Sequence, residues 1–200
     1  MGEVHDQYLG KQLTEETWRD FEALFEKHKG VRGGCWCTFH QVSSTDYNRM
    51  SKNQRKAFHE KRVQEGIATG LILYNNNDPV GWCQFGRGEI FEQINRNRAY
   101  KKLDSVKQVK ADWRITCIFV DKDHRKKGLS RCILSEALKL IEDLGGGVVE
   151  AFPFDLPNSE KPNYNGTVSL FEREGFHKVD RLGKNIQLMR KNLKMEGIQQ

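Results

Sequence analysis

Apolar and polar residues repeat with two different periods along the chain, and these periods predict both helices and strands. Aromatic residues at helical spacing on one face predict a first helix over 14–29. A second, mostly polar helix is predicted over 46–65, where a glycine follows it. Three apolar strands are predicted over 67–74, 80–85 and Trp113–Val120, and an Asn-rich turn makes the first two a hairpin.

The second half of the chain predicts a strand–helix–strand unit. A continuous apolar stripe at helical spacing predicts a helix over 129–144, which three glycines end. The other predicted elements are a strand over 148–152, a short helix over 166–174, and a closing hairpin over 176–182 and 185–190. A helix between consecutive strands makes them parallel, so the sheet is expected to be mixed but mostly antiparallel. This is an α/β chain with one domain over 1–200 and a core over about 12–192.

Composition and charge narrow the class of protein. The 200 residues are 37% hydrophobic and 30% charged, and no apolar run approaches the ~20 residues of a membrane span. The net charge of +6 fits either a nucleic-acid footprint or a basic site for an anionic small molecule. Acidic and basic residues are interspersed and no nucleic-acid-binding motif accompanies them, so we expect neither nucleic acid nor membrane as a partner. Residues 86–111 form a long polar stretch, which we interpret as a functional loop or flap.

The cysteines indicate a reducing compartment. They are Cys35, Cys37, Cys83, Cys117 and Cys132. Their number is odd, and the polar first residues lack the apolar core of a signal peptide, so reduced thiols in the cytoplasm are expected. Cys35, Cys37 and Cys83 with His40 are an alternative zinc site, but structural zinc sites usually separate paired cysteines by two to four residues. Buried thiols without metal are therefore the favoured interpretation, and Cys117 and Cys132 are expected in the core.

The junction after the third strand carries the clearest chemistry. A buried strand ends at Val120, a short basic turn follows, and a helix begins just after Gly128. The first N–H groups of a helix have no internal partners and lie at the positive end of its dipole, so they form an anion site. Gly128 permits close approach of a phosphate, and Arg125 can bind it through two hydrogen bonds. An ordinary basic helix start is the alternative.

Two motifs resemble those of the GNAT superfamily of acetyl-CoA-dependent N-acetyltransferases. Val120, Arg125, Gly128 and Ser130 fit its acetyl-CoA signature, with Ser130 where a Gly or Ala is usual. Residues 169–176 resemble its late helix, usually Leu-Tyr-Glu-Lys-x-Gly-Phe. The order of predicted elements also fits, so the resemblance covers most of the chain.

The resemblance implies that acetyl-CoA is the acetyl donor and that no metal is needed. It implies that strand backbone pairs with the pantetheine arm and that the helix start binds the pyrophosphate. The expected donor-binding residues are Ile118, Phe119, Val120, Arg125, Lys126, Lys127, Gly128, Leu129, Ser130 and Phe171.

Catalytic residues are harder to assign. Phe171 stands where many relatives have the Tyr that protonates the departing thiolate, and a phenyl ring cannot donate a proton. Tyr164 is the nearest replacement, unless it is a packed loop aromatic. Glu150, a carboxylate in an apolar strand, is the candidate base unless it is edge-facing or salt-bridged. Glu89 and Asp155 are weaker candidates.

The expected activity is direct transfer of the acetyl group to a primary amine of a small molecule or a protein, without an acyl-enzyme. A monomer or a homodimer is expected. The missing tyrosine leaves one alternative, a module that binds acyl-CoA without turnover.

Overall fold

One seven-stranded sheet organises the structure, a computed structural model that describes residues 7–155 and 164–194. The strands are β1 Tyr8–Gln12, β2 Thr69–Asn75, β3 Asp78–Arg87, β4 Trp113–Val120, β5 Gly147–Ala151, β6 His177–Leu182 and β7 Ile186–Leu193. Their order across the sheet is β1-β2-β3-β4-β5-β7-β6. Only β4 and β5 are parallel among these paired strands, which confirms the predicted mixed, mostly antiparallel sheet.

Helices cover both faces of the sheet. They are α1 Trp18–Lys27, α2 Ser44–Arg49, α3 Lys52–Gln64, α4 Glu92–Arg96, α5 Arg98–Lys102, α6 Asp104–Gln108, α7 Leu129–Asp143 and α8 Val168–Arg173. Neighbouring residues of β2 lie in different cores, Leu71 and Leu73 beneath α7, and Ile72 and Tyr74 beneath α1. In the described part of the chain, no helix is long and apolar enough to cross a membrane.

The polar segment predicted as one helix over 46–65 forms two helices, α2 and α3. Met50 has extended backbone, which ends α2. The Ser51 hydroxyl then accepts from the Gln54 backbone N–H, and the Gln54 side chain accepts from the Ser51 backbone N–H. This reciprocal capping box starts a new helix, so the single-helix prediction is wrong at this position.

One further prediction differs from the structure, and one strand was not predicted at all. The segment 86–111 contains three short helices rather than an open loop, and buried Ile94 and Tyr100 anchor it. The Asn97 side chain caps α5 by accepting from two backbone N–H groups. Helices of five residues are too short for a helical period to be detected. The edge strand β1 was also missed because it is short. Its five residues alternate between partly buried and exposed positions, and no turn signal marks its ends.

The parallel pair β4–β5 opens into a cleft. The two strands pair only over Trp113–Ile115 of β4 and Val149–Ala151 of β5. From 116 to 120, β4 continues without β5 beside it, while its other edge stays paired with β3. No strand pairs with the second edge of this stretch, although the Ile118 N–H there donates to the Tyr164 carbonyl, so the rest of this edge is available for other partners.

Candidate functional site

The open edge of β4 and the N-terminal ends of α7 and α8 enclose a cleft of about 560 Å³, here called the β4–α7 cleft. The residues predicted for donor binding or catalysis that line it are Ile118, Phe119, Val120, Arg125, Lys126, Gly128, Leu129, Ser130 and Tyr164. Its lining also includes Arg131 and Arg173, which the sequence did not single out. The structure thus brings most of the predicted stretch onto one surface.

The start of α7 has the geometry expected of an anion site. Gly128 is the N-cap residue with φ of 76°, and no side chain caps the helix there. A Cβ built on Gly128 meets no atom within 4 Å, so the position faces open space. The N-terminal N–H groups of a 15-residue helix therefore face the cleft without a capping side chain. A positive φ in open space favours glycine and leaves room for a bound phosphate.

Basic side chains surround this helix start. Arg125 donates from Nε to the Val120 carbonyl at 3.3 Å, which places its guanidinium beside the end of β4. Arg131 donates to Glu174 at 2.7 Å from the first turn of α7. Lys126 and Lys127 are both exposed, but only Lys126 lines the cleft. Positive charge at the cleft therefore comes from the turn before α7, from α7 through Arg131, and from α8 through Arg173.

Tyr164 and Phe171 occupy different environments. The Tyr164 carbonyl accepts from the Ile118 N–H at 2.6 Å, and its ring stacks on Phe119 with centroids 6.1 Å apart. Tyr164 therefore borders the open edge of β4. Phe171 is fully buried, packs on Phe176 and does not line the cleft. Its ring belongs to the core beneath α7 rather than to a donor-binding surface.

Glu150 lies in a buried ionic network and not in the cleft. Its side chain is 0% exposed. Arg190 donates to one carboxylate oxygen at 2.7 Å, and Tyr100 and Arg114 donate to the other at 2.6 and 3.3 Å. Of the two alternatives that the sequence left open for Glu150, this geometry matches the salt-bridged one. Both oxygens already accept charge-assisted or hydroxyl hydrogen bonds, so a substrate proton has no free site there.

The two weaker base candidates are also away from the cleft. Glu89 is exposed in a short turn after β3, and Asp155 pairs with Arg181 at 2.8 Å. Neither lines the β4–α7 cleft.

A second cavity, of about 300 Å³, lies near the cleft and was not predicted. We call it the aromatic pocket; its lining includes Arg32, Phe39, His40, Gln93, Ile94, Tyr100, Phe152, Phe154, Asn165 and Ile186. A connecting gap of about 20 Å³ shares Tyr164 with the cleft, and Arg32, Phe39, His40 and Asn165 with the pocket. These residues come from distant parts of the chain, so no local motif marks the pocket.

Left-handed backbone recurs in the segment 31–37, which supplies Val31, Arg32 and Cys37 to the gap and Arg32 to the pocket. Val31, Arg32, Trp36 and Cys37 have positive φ values of 54°, 42°, 49° and 51°. Left-handed backbone at non-glycine residues persists only where the surroundings hold it, and it concentrates at functional sites. Here Gln84 and Gln41 both donate to the Cys37 carbonyl, at 2.7 and 3.0 Å.

The five cysteines are all free thiols. Cys35, Cys37 and Cys117 line the connecting gap, and the indole N–H of Trp82 lies 3.1 Å from the Cys37 sulfur. Burial raises the pKa of Cys35 and of Cys37. Cys132 is buried as predicted, whereas Cys117 is only partly buried. In the ranges 7–155 and 164–194, no three His, Cys, Asp or Glu side chains are grouped to hold a metal.

Comparisons with known proteins address the fold. No protein-family model matches the chain, and no curated protein matches it. Solved structures do match. An acetyltransferase of the GNAT family from Streptococcus pneumoniae is 14% identical, with 94% of this chain and 99% of that chain covered and a TM-score of 0.52.

Two other matches are of the same kind. A putative acetyltransferase from Salmonella typhimurium, solved with its cofactor acetyl-CoA, is 14% identical, with 94% of this chain and 95% of that chain covered and a TM-score of 0.52. A ribosomal-protein-alanine N-acetyltransferase from Brucella melitensis is 14% identical, with 92% of this chain and 99% of that chain covered and a TM-score of 0.52. The chain therefore has the fold of the GNAT superfamily of acetyltransferases.

Proposed function

We propose that this protein is an N-acetyltransferase that transfers the acetyl group of acetyl-CoA directly to a primary amine. The carrying observation is the β4–α7 cleft, in which an uncapped helix start and basic side chains adjoin an open strand edge. The helix start suits the pyrophosphate, and the strand edge suits the amides of the pantetheine arm. The acetyl-CoA in the Salmonella typhimurium structure supports the choice of donor.

The chemistry requires little beyond positioning. The amine nitrogen bonds to the acetyl carbon, and the carbon–sulfur bond breaks. An ammonium substrate first releases one proton to solvent water, and a second N–H proton ends on the CoA sulfur. A backbone N–H on the open edge of β4 can stabilise the oxyanion that forms at the acetyl carbonyl. We propose that the Tyr164 hydroxyl protonates the departing CoA thiolate, because Tyr164 borders this edge. Phe171 has no proton to donate.

The test has two parts. Calorimetry first measures acetyl-CoA binding, and thiol release is then followed with a panel of primary amines. We expect binding together with amine-dependent CoA release. The absence of binding would refute the proposal.

A second candidate is a module that binds acyl-CoA without turnover. Phe171 in the core favours it, because no hydroxyl stands at that position. Acetyl-CoA binding without CoA release across small amines and peptides would support this candidate instead.

A further inference from the structure

The walls of the aromatic pocket are mostly apolar, with the amides of Gln93, Asn97 and Asn165 among the polar groups, and its lining carries no acidic side chain among the described residues. Phe152, Phe154 and Ile186 supply part of the apolar surface. The connecting gap is likewise lined without an Asp or Glu in the described ranges. A polycation placed here would lose water without gaining a carboxylate, which is costly in free energy. The lining therefore disfavours polyamines and aminoglycosides as ligands.

One cation lies where the pocket and the gap meet. Arg32 is exposed, lines both spaces and forms no ion pair with any described carboxylate. Its guanidinium lies 5.7 Å from the centre of the Phe39 ring, which orients it by a cation–π contact. An exposed guanidinium at the rim of an apolar pocket is well suited to bind a carboxylate through two hydrogen bonds.

Two buried acceptors lie nearby. Gln93 Oε1 and His40 Nδ1 are buried and have no hydrogen-bond partner among the described residues. The Gln93 backbone N–H donates to the His40 carbonyl at 3.2 Å, so the two residues are held together. Burial and the charges of Arg32 and Arg114 lower the pKa of His40 to about 4, so its ring is neutral near pH 7. A ligand N–H group would satisfy Gln93 Oε1, and also His40 Nδ1 when the ring carries its proton on Nε2, and such polar atoms are costly to bury without a partner. Both atoms are fully buried, so these side chains must turn toward the pocket when the ligand binds.

Size and position complete the description of the ligand. A volume of about 300 Å³ is at the lower limit for small-molecule sites, so a compact ligand fits best. His40 also lines the small gap, whose lining includes Cys117 and Tyr164, and Tyr164 lines the β4–α7 cleft as well. An amine held near His40 therefore lies at the end of the pocket nearest this gap, which must widen for the amine to reach the cleft.

We infer that the aromatic pocket binds the acceptor, and that the acceptor is a small apolar or aromatic α-amino acid. Its side chain packs on the apolar walls, its carboxylate pairs with Arg32, and its amine donates to Gln93 and His40. This inference rests on the proposed acetyltransferase function.

The experiment compares acceptors that differ by one group. Phenylalanine, phenylalaninamide, 2-phenylethylamine and spermidine are assayed for CoA release at saturating acetyl-CoA. We expect kcat/KM for phenylalanine to exceed that for phenylalaninamide by about 10-fold or more, because a charge-assisted hydrogen bond is lost. Arg32→Gln is expected to lower kcat/KM for phenylalanine about 10-fold or more, to the level of phenylalaninamide, and to lower that for 2-phenylethylamine much less. Arg19→Gln, at an exposed position of α1, is the matched control for the lost charge.

A second variant separates the two ends of the acceptor. Gln93→Met keeps a similar volume but lacks Oε1, so we expect it to lower kcat/KM for phenylalanine and 2-phenylethylamine alike. Binding of N-acetylphenylalanine, measured by calorimetry in the presence of CoA, gives a readout without turnover. Arg32→Gln is expected to weaken that binding about 10-fold or more.

The outcomes distinguish the two proposals. Failure to bind acetyl-CoA refutes the proposed function. Acetyl-CoA binding with spermidine as the preferred acceptor leaves the proposed function standing and overturns the acceptor class. An Arg32→Gln effect that is equal for phenylalanine and 2-phenylethylamine overturns the carboxylate assignment, as does unchanged binding of N-acetylphenylalanine.

Discussion

The β4–α7 cleft and the aromatic pocket lie on either side of one gap but are built differently. The cleft is formed mainly by one continuous stretch, 118–131, whose backbone supplies the strand edge and the helix start. The pocket is formed by side chains from the segments around positions 32–40, 93–100, 152–154 and 182–186. Backbone sites tolerate changes of side chain, whereas side-chain sites change their ligand with each substitution. A shared fold therefore predicts the donor far better than the acceptor.

The most disruptive test of the cleft is Gly128→Glu. A carboxylate at this position would lie where the phosphate is proposed and would repel it, so we expect acetyl-CoA binding to fall below detection. Calorimetry is the measurement. Gly66→Glu is the matched control, because Gly66 also has positive φ, at 68°, and no atom within 4 Å of a built Cβ. Equal losses of affinity in both variants would mean that backbone strain, and not the anion site, causes the effect.

Glu150→Gln tests the network behind the aromatic pocket. Removing the charge leaves Arg114 and Arg190 without their buried partner, which costs about 3–5 kcal/mol in free energy of unfolding. Urea denaturation measures this loss, with exposed Glu15→Gln as the control. A stable Glu150→Gln protein whose turnover falls about 10²–10⁴-fold, with recovery at high pH, would instead make Glu150 the general base.

Arg125→Ala measures how much a basic side chain adds to acetyl-CoA binding beyond the backbone N–H groups of the helix start. We expect acetyl-CoA binding to weaken by about 1.5–3 kcal/mol, the value of a lost hydrogen bond to a charged group. Its dependence on salt should also fall, since one cation is lost. Lys127→Ala is the comparison, because Lys127 lies outside the cleft lining, and its effect is expected to be under about 1 kcal/mol. Calorimetry at two salt concentrations distinguishes them, and a larger loss for Lys127→Ala would contradict the geometry.

Cys117→Ala addresses the gap between the two sites and has the smallest expected effect. Direct transfer needs no thiol nucleophile, so we expect kcat to stay within about 3-fold and stability to change more, because Cys117 is partly buried. Mass spectrometry after mixing with acetyl-CoA checks the mechanism. An acetylated cysteine that forms in a burst of CoA release would overturn direct transfer.

The thiols provide a further check on the whole chain. We expect titration in denaturant, with protein purified without oxidation, to find all five cysteines reduced, in agreement with the free thiols of the structure. Bound zinc at one equivalent would contradict the metal-free interpretation of Cys35 and Cys37.

Much of the fold could be predicted from sequence because its long elements have strong periods. Strand β4 has the predicted bounds, and α7 begins at the predicted residue and ends one residue early. The short helices within 86–111 could not be predicted, since α4, α5 and α6 have five residues each and depend on anchors such as Tyr100. The break between α2 and α3 has a local signal, the capping box of Ser51 and Gln54, but the polar run around it concealed that signal.

The sequence by itself predicted the proposed donor side of the site, because a strand, a basic turn and a glycine in immediate succession are enough to indicate an anion-binding helix start. It could not place Glu150, whose partners Tyr100, Arg114 and Arg190 are 50, 36 and 40 residues away. Tertiary structure alone decided that this carboxylate is paired and buried. It also decided that Arg32, His40 and Gln93 meet at one pocket, because side chains from separate elements become neighbours only when the sheet and helices pack.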